Sequence, residues 1–277
     1  MQRTPLSLVG LIVVASLCWT GAAAQPAALR SVDVIGTAFR VTFTDGRALA
    51  GSALQGAVLT LTLSGDARPG RFRLDRIERD PGNKDVLLYR ITVLATQAGE
   101  TDHDLCELDA QGERWAFPLK GQWDESGRRL TARGLTLACA AGGAIGKCVR
   151  WGYPPWGRTP SGRPLAPYHA ACVNMVRANY CGDRGTTRDG MTIDYWDNAE
   201  IMRADKDRAR ELGLRFEAAW SPKGAVCVAH TRVPENMTLE QLARACPRLR
   251  RLGPATCDPE EAAKGRYGKA LLFNSSY

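Results

Sequence analysis

The sequence predicts an α+β fold in which an antiparallel β-rich first half, sandwich or barrel-like, precedes a disulfide-tied second half. The second half is expected to hold two or three short helices and a β-hairpin. Two observations carry this prediction. Up to about residue 138, apolar and polar residues alternate in short runs that end at turn residues, the pattern of half-buried strands. From Cys139 onward the alternation stops and seven of the eight cysteines outside the first 24 residues appear. The two halves, 25–138 and 139–277, are read as separate domains or as parts of one.

The strands follow in order. Phe39, Val41 and Phe43 alternate with polar residues and stop at Asp45-Gly46. Leu49, Gly51, Leu54 and Gly56 read as a glycine-rich bend, after which Leu59, Leu61 and Leu63 form a strand ending at Gly65-Asp66. Leu87, Tyr89, Ile91 and Val93 follow the turn Asp80-Pro81-Gly82-Asn83. Trp115, Phe117 and Leu119 make the next strand, and Leu135, Leu137 and Cys139 close the series.

In the second half, helical spacing of His169, Cys172, Val173, Val176 and Tyr180 predicts a helix over 168–180, stopped by Gly182. Thr238 to Cys246 is a second helix. Thr238 and Gln241 have the spacing of a capping box, in which each side chain satisfies the other residue's free backbone N–H. Pro247 ends it. Between them, Phe216–Trp220 and Ala225–His230 flank Ser221-Pro222-Lys223-Gly224 as a hairpin. The charged stretch 200–215 reads as a solvated face.

The N-terminus has the parts of a secretory signal: Arg3, an apolar run from Leu6 to Leu17, and the small residues Gly21 to Ala24. Cleavage is expected after Ala24. The apolar run is too short for a membrane span, which takes roughly 18–20 residues, and Cys18 lacks the small preceding residue of a lipoprotein site. Export to the periplasm or the medium is therefore expected, with no span left after cleavage. In an oxidising compartment the even set Cys106, Cys139, Cys148, Cys172, Cys181, Cys227, Cys246 and Cys257 is expected to be bridged, in a pairing that spacing alone does not choose. The formal charge of +8 over 277 residues favours an anionic envelope polymer or another envelope protein as partner, and no module specific for nucleic acid is present.

The residues from Cys148 to Asp183 are the most distinctive. Cys148-Val149-Arg150-Trp151-Gly152-Tyr153, Pro155-Trp156, His169-x-x-Cys172 and the run from Met175 through Asn179-Tyr180-Cys181 to Asp183 resemble the ADYC domain of exported bacterial proteins. Thr187-Arg188-Asp189-Gly190 and Phe216 to Trp220 fit the same domain, as do Leu105-Cys106 and Gly121 to Asp124 more loosely. The resemblance runs over roughly residues 30–235 and implies an exported bacterial protein; it implies no chemistry. Where the family's naming motif has Asp, this chain has Asn179, which keeps the shape but cannot act as a carboxylate base.

Trp151, Tyr153 and Trp156, on a Gly/Pro-rich run, are the candidate ligand-binding residues, as flat faces for sugar rings. A Cys–His nucleophile from Cys172 and His169 is disfavoured if every cysteine is bridged. Asp183, Asp189, Asp194 and Asp197 lack the spacing of an EF-hand loop, and Arg184 and Arg188 would oppose a cation. No catalytic residue, metal or cofactor is expected. Arg244, Arg248, Arg250 and Arg251 read as a solvated basic edge. The leading expectation is a non-enzymatic binding module; an exported hydrolase with scattered residues and a structural envelope component are the alternatives.

Overall fold

A computed structural model describes residues 27–62, 68–109, 112–124 and 127–277. The expected signal segment 1–24, Leu63 and the Gly65-Asp66 turn lie outside the described residues.

The fold is α+β, as the sequence predicts. β1 (Leu29–Ile35), β2 (Ala38–Phe43) and β3 (Ala48–Ala50) form a small antiparallel sheet. The β1–β2 turn is Gly36-Thr37, with Gly36 at φ 61°, the left-handed backbone that glycine adopts without penalty. A 3₁₀ turn (Gly51–Leu54) occupies the predicted bend. It leads into β4 (Val58–Leu61), β5 (Gly70–Arg79), β6 (Leu87–Leu94), the two-residue β7 (His103–Asp104), β8 (Trp115–Trp123) and β9 (Arg129–Cys139). These form one antiparallel sheet in the order β4-β5-β6-β8-β9, with β7 beside β6. Val34, Phe39 and Val41 of the small sheet share a core with Phe72, Leu74, Ile91, Phe117 and Leu119 of the large one, so each sheet buries its apolar face on the other.

The second half is built on a four-stranded antiparallel sheet, β10-β13-β11-β12, from β10 (Asp194–Asp197), β11 (Arg215–Ser221), β12 (Gly224–Val228) and β13 (Leu272–Ser276). The hairpin lies where the sequence placed it, with Ser221 opposite Gly224. Five α-helices occur among the described residues where two or three were expected: α1 (Ala144–Arg150), α2 (Ala166–Val176), α3 (Lys206–Glu211), α4 (Leu239–Ala245) and α5 (Pro259–Ala263). The unexpected α1, α3 and α5 have 7, 6 and 5 residues, too few turns for a 3.6-residue period to register. α4 carries the predicted capping box.

The expected helix 168–180 is corrected to Ala166–Val176. Asn179 N–H donates to Asn174 C=O at 2.8 Å and Ala178 N–H to Met175 C=O at 3.1 Å, the paired bonds of a Schellman termination. Ala178 takes the left-handed position at φ 48°. Because the stop is made by backbone geometry on a non-glycine residue, the periodic Tyr180 lies beyond the helix.

Three disulfides tie the chain: Cys106–Cys139, Cys148–Cys172 and Cys227–Cys257. The expectation that all eight cysteines are bridged is corrected to this extent: Cys181 and Cys246 are thiols. They lie within hydrogen-bonding reach of each other, and burial, then that hydrogen bond, pushes the Cys181 thiol up to about 12. Since the thiolate is the reactive form, Cys181 is expected to resist iodoacetamide at pH 8 in the native protein, and Cys246 is shielded by its burial; both should react once the chain is unfolded. A mass for the native chain lower by eight hydrogens would show instead that a fourth bridge had closed.

No helix among the described residues is long and apolar enough to cross a membrane.

Candidate functional site along the seam between the halves

Helix α1 joins the two halves. Val149 is fully buried in the β-half core, while its neighbour Cys148 is bridged to α2 in the core of the second half. Arg150 donates to buried Asp80 at 2.5 and 3.3 Å, and Asn83 Nδ2 donates to Val149 C=O at 3.4 Å. Farther along, the Trp123 and His169 rings meet edge to face at 5.3 Å.

Three cavities lie along this seam, of about 740, 760 and 850 Å³. The first is walled by Trp123, Trp151 and Tyr195, with Lys147, Arg177 and Arg188. It shares Lys147 and Trp151 with the second, and Trp123, Asp124 and Arg177 with the third. The cavities are therefore consecutive parts of one groove. Arg188 is paired with Glu235 at 3.3 Å, whereas Lys147 has no acidic partner among the described residues.

The three predicted aromatics do not form one exposed surface. Trp151 is half-buried, stacks on Tyr195 at 4.2 Å and lines two of the cavities. Trp156 is exposed, and a Cβ at Gly36 would sit 3.5 Å from its indole nitrogen, so it covers the β1–β2 turn. Tyr153 corrects the expectation: it is completely buried and its hydroxyl donates to Asp197 at 2.6 Å. Burial first, then that hydrogen bond, raises its pKa well above the usual phenol value. Sequence reasoning grouped the three by proximity in the chain and missed Tyr195 and Lys147, which carry no spacing signal. Trp123 stood in the family-like run Gly121 to Asp124, which was its only mark.

His169 is 1% exposed. Its Nδ1 donates to Tyr153 C=O at 2.9 Å, which leaves Nε2 as the lone-pair nitrogen. Burial pushes its pKa down to about 4. Cys172, three residues along the helix from it, is held in a disulfide and cannot supply a thiolate, so the disfavoured Cys–His nucleophile is not formed. The four aspartates do not converge. Asp197 accepts from Tyr153 and from the backbone N–H groups of Ala199 and Met202, Asp194 from Asp205 N–H, and Asp183 from Arg184 N–H. Among the described residues no cluster of three or more histidine, cysteine or acidic side chains could hold a metal ion.

The basic run also finds structural employment. Arg248 donates to the carbonyls of Tyr180, Cys181, Lys223 and Ala225, Arg244 pairs with Glu240, and Arg251 lies over the Tyr267 ring.

Behind the groove sits a buried ion pair that spacing did not reveal. Arg232 and Glu217, 2% and 0% exposed, meet at 2.9 Å. Glu217 also accepts from Tyr180 Oη at 2.9 Å and from Asn274 Nδ2 at 2.7 Å, and Arg232 donates to the Met175 and Val176 carbonyls at the end of α2. Every oxygen of the carboxylate is engaged, which is the condition for a buried charge to be tolerated.

The residues of the family-like run are thus placed in a shared structural role: Tyr180 holds Glu217, Cys181 faces Cys246, and Asn179 borders the third cavity. No curated protein and no solved structure matches the chain. A family model described as the ADYC domain matches residues 51–234, a range that takes in both sides of the seam and the residues lining all three cavities. The chain belongs to the ADYC family.

Proposed function

We propose that this disulfide-stabilised ADYC-family protein is an exported, non-enzymatic binding module that holds an anionic envelope polymer along the groove. The observation that carries the reading is the run of three adjoining cavities, with Trp151 and Lys147 shared by two of them. An extended ligand suits consecutive pockets better than a compact one does. A half-buried indole beside an ammonium without an acidic partner offers a stacking face and a charge contact together. The net charge of +8 favours approach of a polyanion.

The test is calorimetric titration of the protein with galacturonic-acid oligomers and, in parallel, with neutral dextran oligomers. Binding of the acidic oligomers alone, weakened by salt, is expected. Trp151→Ala and Lys147→Ala should each weaken it about tenfold, the loss of one well-placed contact. Equal binding of dextran, or no binding, would overturn the reading. New reducing ends in the incubated oligomers would favour the hydrolase instead.

A further inference from the structure

Two residues that line the third cavity, His169 and Asn179, each carry a buried hydrogen-bond acceptor with nothing to accept from. His169 Nε2 and Asn179 Oδ1 are both without a partner, and both residues are 1% exposed and line the same space of about 850 Å³. Their roles are fixed by what holds them. His169 Nδ1 must donate to the Tyr153 carbonyl, so Nε2 presents a lone pair. Asn174 Nδ2 donates to the Ser221 and Pro222 carbonyls at 3.2 and 3.3 Å, which turns its Oδ1 toward Asn179. Asn179 Nδ2 donates to that Oδ1 at 3.1 Å, and this orients Asn179's own oxygen as the free end of the chain of bonds. A buried acceptor left unmatched is costly, so this pair specifies a guest that brings two donors.

The rest of the wall narrows the guest's chemistry. Trp123 lines it with a flat indole, which meets the His169 ring edge to face at 5.3 Å. Arg129 is exposed at the rim and has no acidic partner among the described residues. Arg128 pairs with Asp124 at 3.3 Å, Asp183 accepts from Arg184 N–H at 2.6 Å, and Arg177 completes the charged lining. Two neutral acceptors, a flat apolar face and a rim guanidinium suit a ring that carries hydroxyls on one side and a carboxylate on the other.

We infer that this cavity is the subsite for a single carboxylated sugar unit. Two ring hydroxyls donate to His169 Nε2 and Asn179 Oδ1, the ring lies on Trp123, and the carboxylate meets Arg129. The assignment rests on the groove reading and names the unit recognised within it.

The probe is the galacturonic-acid oligomer, observed through the ¹⁵N resonance of His169 Nε2 in the intact protein. That resonance is expected to move on titration, as the lone pair accepts a hydrogen bond. Arg129→Ala, at an exposed position that leaves the core untouched, is expected to weaken binding about tenfold through loss of a charge-assisted pair. If the oligomer binds and Trp151→Ala weakens it while the His169 resonance and the Arg129→Ala affinity stay unchanged, the subsite is overturned and the groove stands. In that case ordered water satisfies the two acceptors. If no acidic oligomer binds, both readings fall together.

Discussion

Arg232→Met is expected to lower the free energy of unfolding by about 3–5 kcal/mol, the cost of leaving one partner of a buried ion pair behind. The substitution removes the guanidinium that faces Glu217 and uncaps the Met175 and Val176 carbonyls at the end of α2. Tyr180 and Asn274 continue to donate to the stranded carboxylate but bring no charge. Urea unfolding monitored by tryptophan fluorescence measures the loss, and Trp220, fully buried beside this network and donating to Asn274 at 2.7 Å, is a local reporter. The double variant Glu217→Leu/Arg232→Met should recover part of the loss, because no uncompensated charge then remains. A change below about 1 kcal/mol in the single variant would mean that the pair contributes no more than a surface bridge does.

Acid is expected to remove about 3 kcal/mol of stability through His169 alone, since each unit of pKa shift corresponds to about 1.4 kcal/mol. Its folded pKa of about 4 lies below the 6.5 of the free side chain. The unfolded chain therefore takes up the proton first. The contribution is fully present above pH 6.5, falls as pH drops through the interval, and is exhausted near pH 4. Hydrogen bonds lower the carboxyl pKa values of Asp33 and Glu100, and at Asp75 burial pushes the pKa up while hydrogen bonds from Arg73 and Thr92 more than reverse it; these bonds are lost only below the ordinary carboxylate range. The window between pH 6.5 and 5 thus isolates the histidine. Unfolding free energies across that window should slope in the wild type and run flatter in His169→Gln, and equal slopes would refute the assignment.

What was legible in the sequence divides along physical lines. Where one strand face is buried and the other wet, as with Phe39 and Val41 or Leu59 and Leu61, alternation marked the strand. It failed for β5, where Phe72, Leu74 and Ile77 are the buried residues and a register shift between Leu74 and Arg76 breaks the period of two. It failed again for β13, which lies between β10 and β11 and is buried along its whole length, with three polar residues among its five. At the site, residues close in sequence were readable and those joined by folding were not. Trp151 was found, but its stacking partner Tyr195 comes from β10, and Asn179 joins His169 at the third cavity from beyond the left-handed Ala178 that ends α2. Cysteine count announced bridges without their partners, for pairing is a property of the folded path.

The Cys148–Cys172 bridge has a mechanical consequence. One side of α1 is welded to α2, and the next residue, Val149, is sunk in the opposite core. A tensile load that pulls the two halves apart therefore cannot be shed by sliding α1 along α2. It has to draw an aliphatic plug out of the β-half and break the Arg150–Asp80 clamp at the same time. A polymer under tension would accordingly meet a jaw of fixed width for as long as the sulfurs stay joined, and a compliant one after reduction.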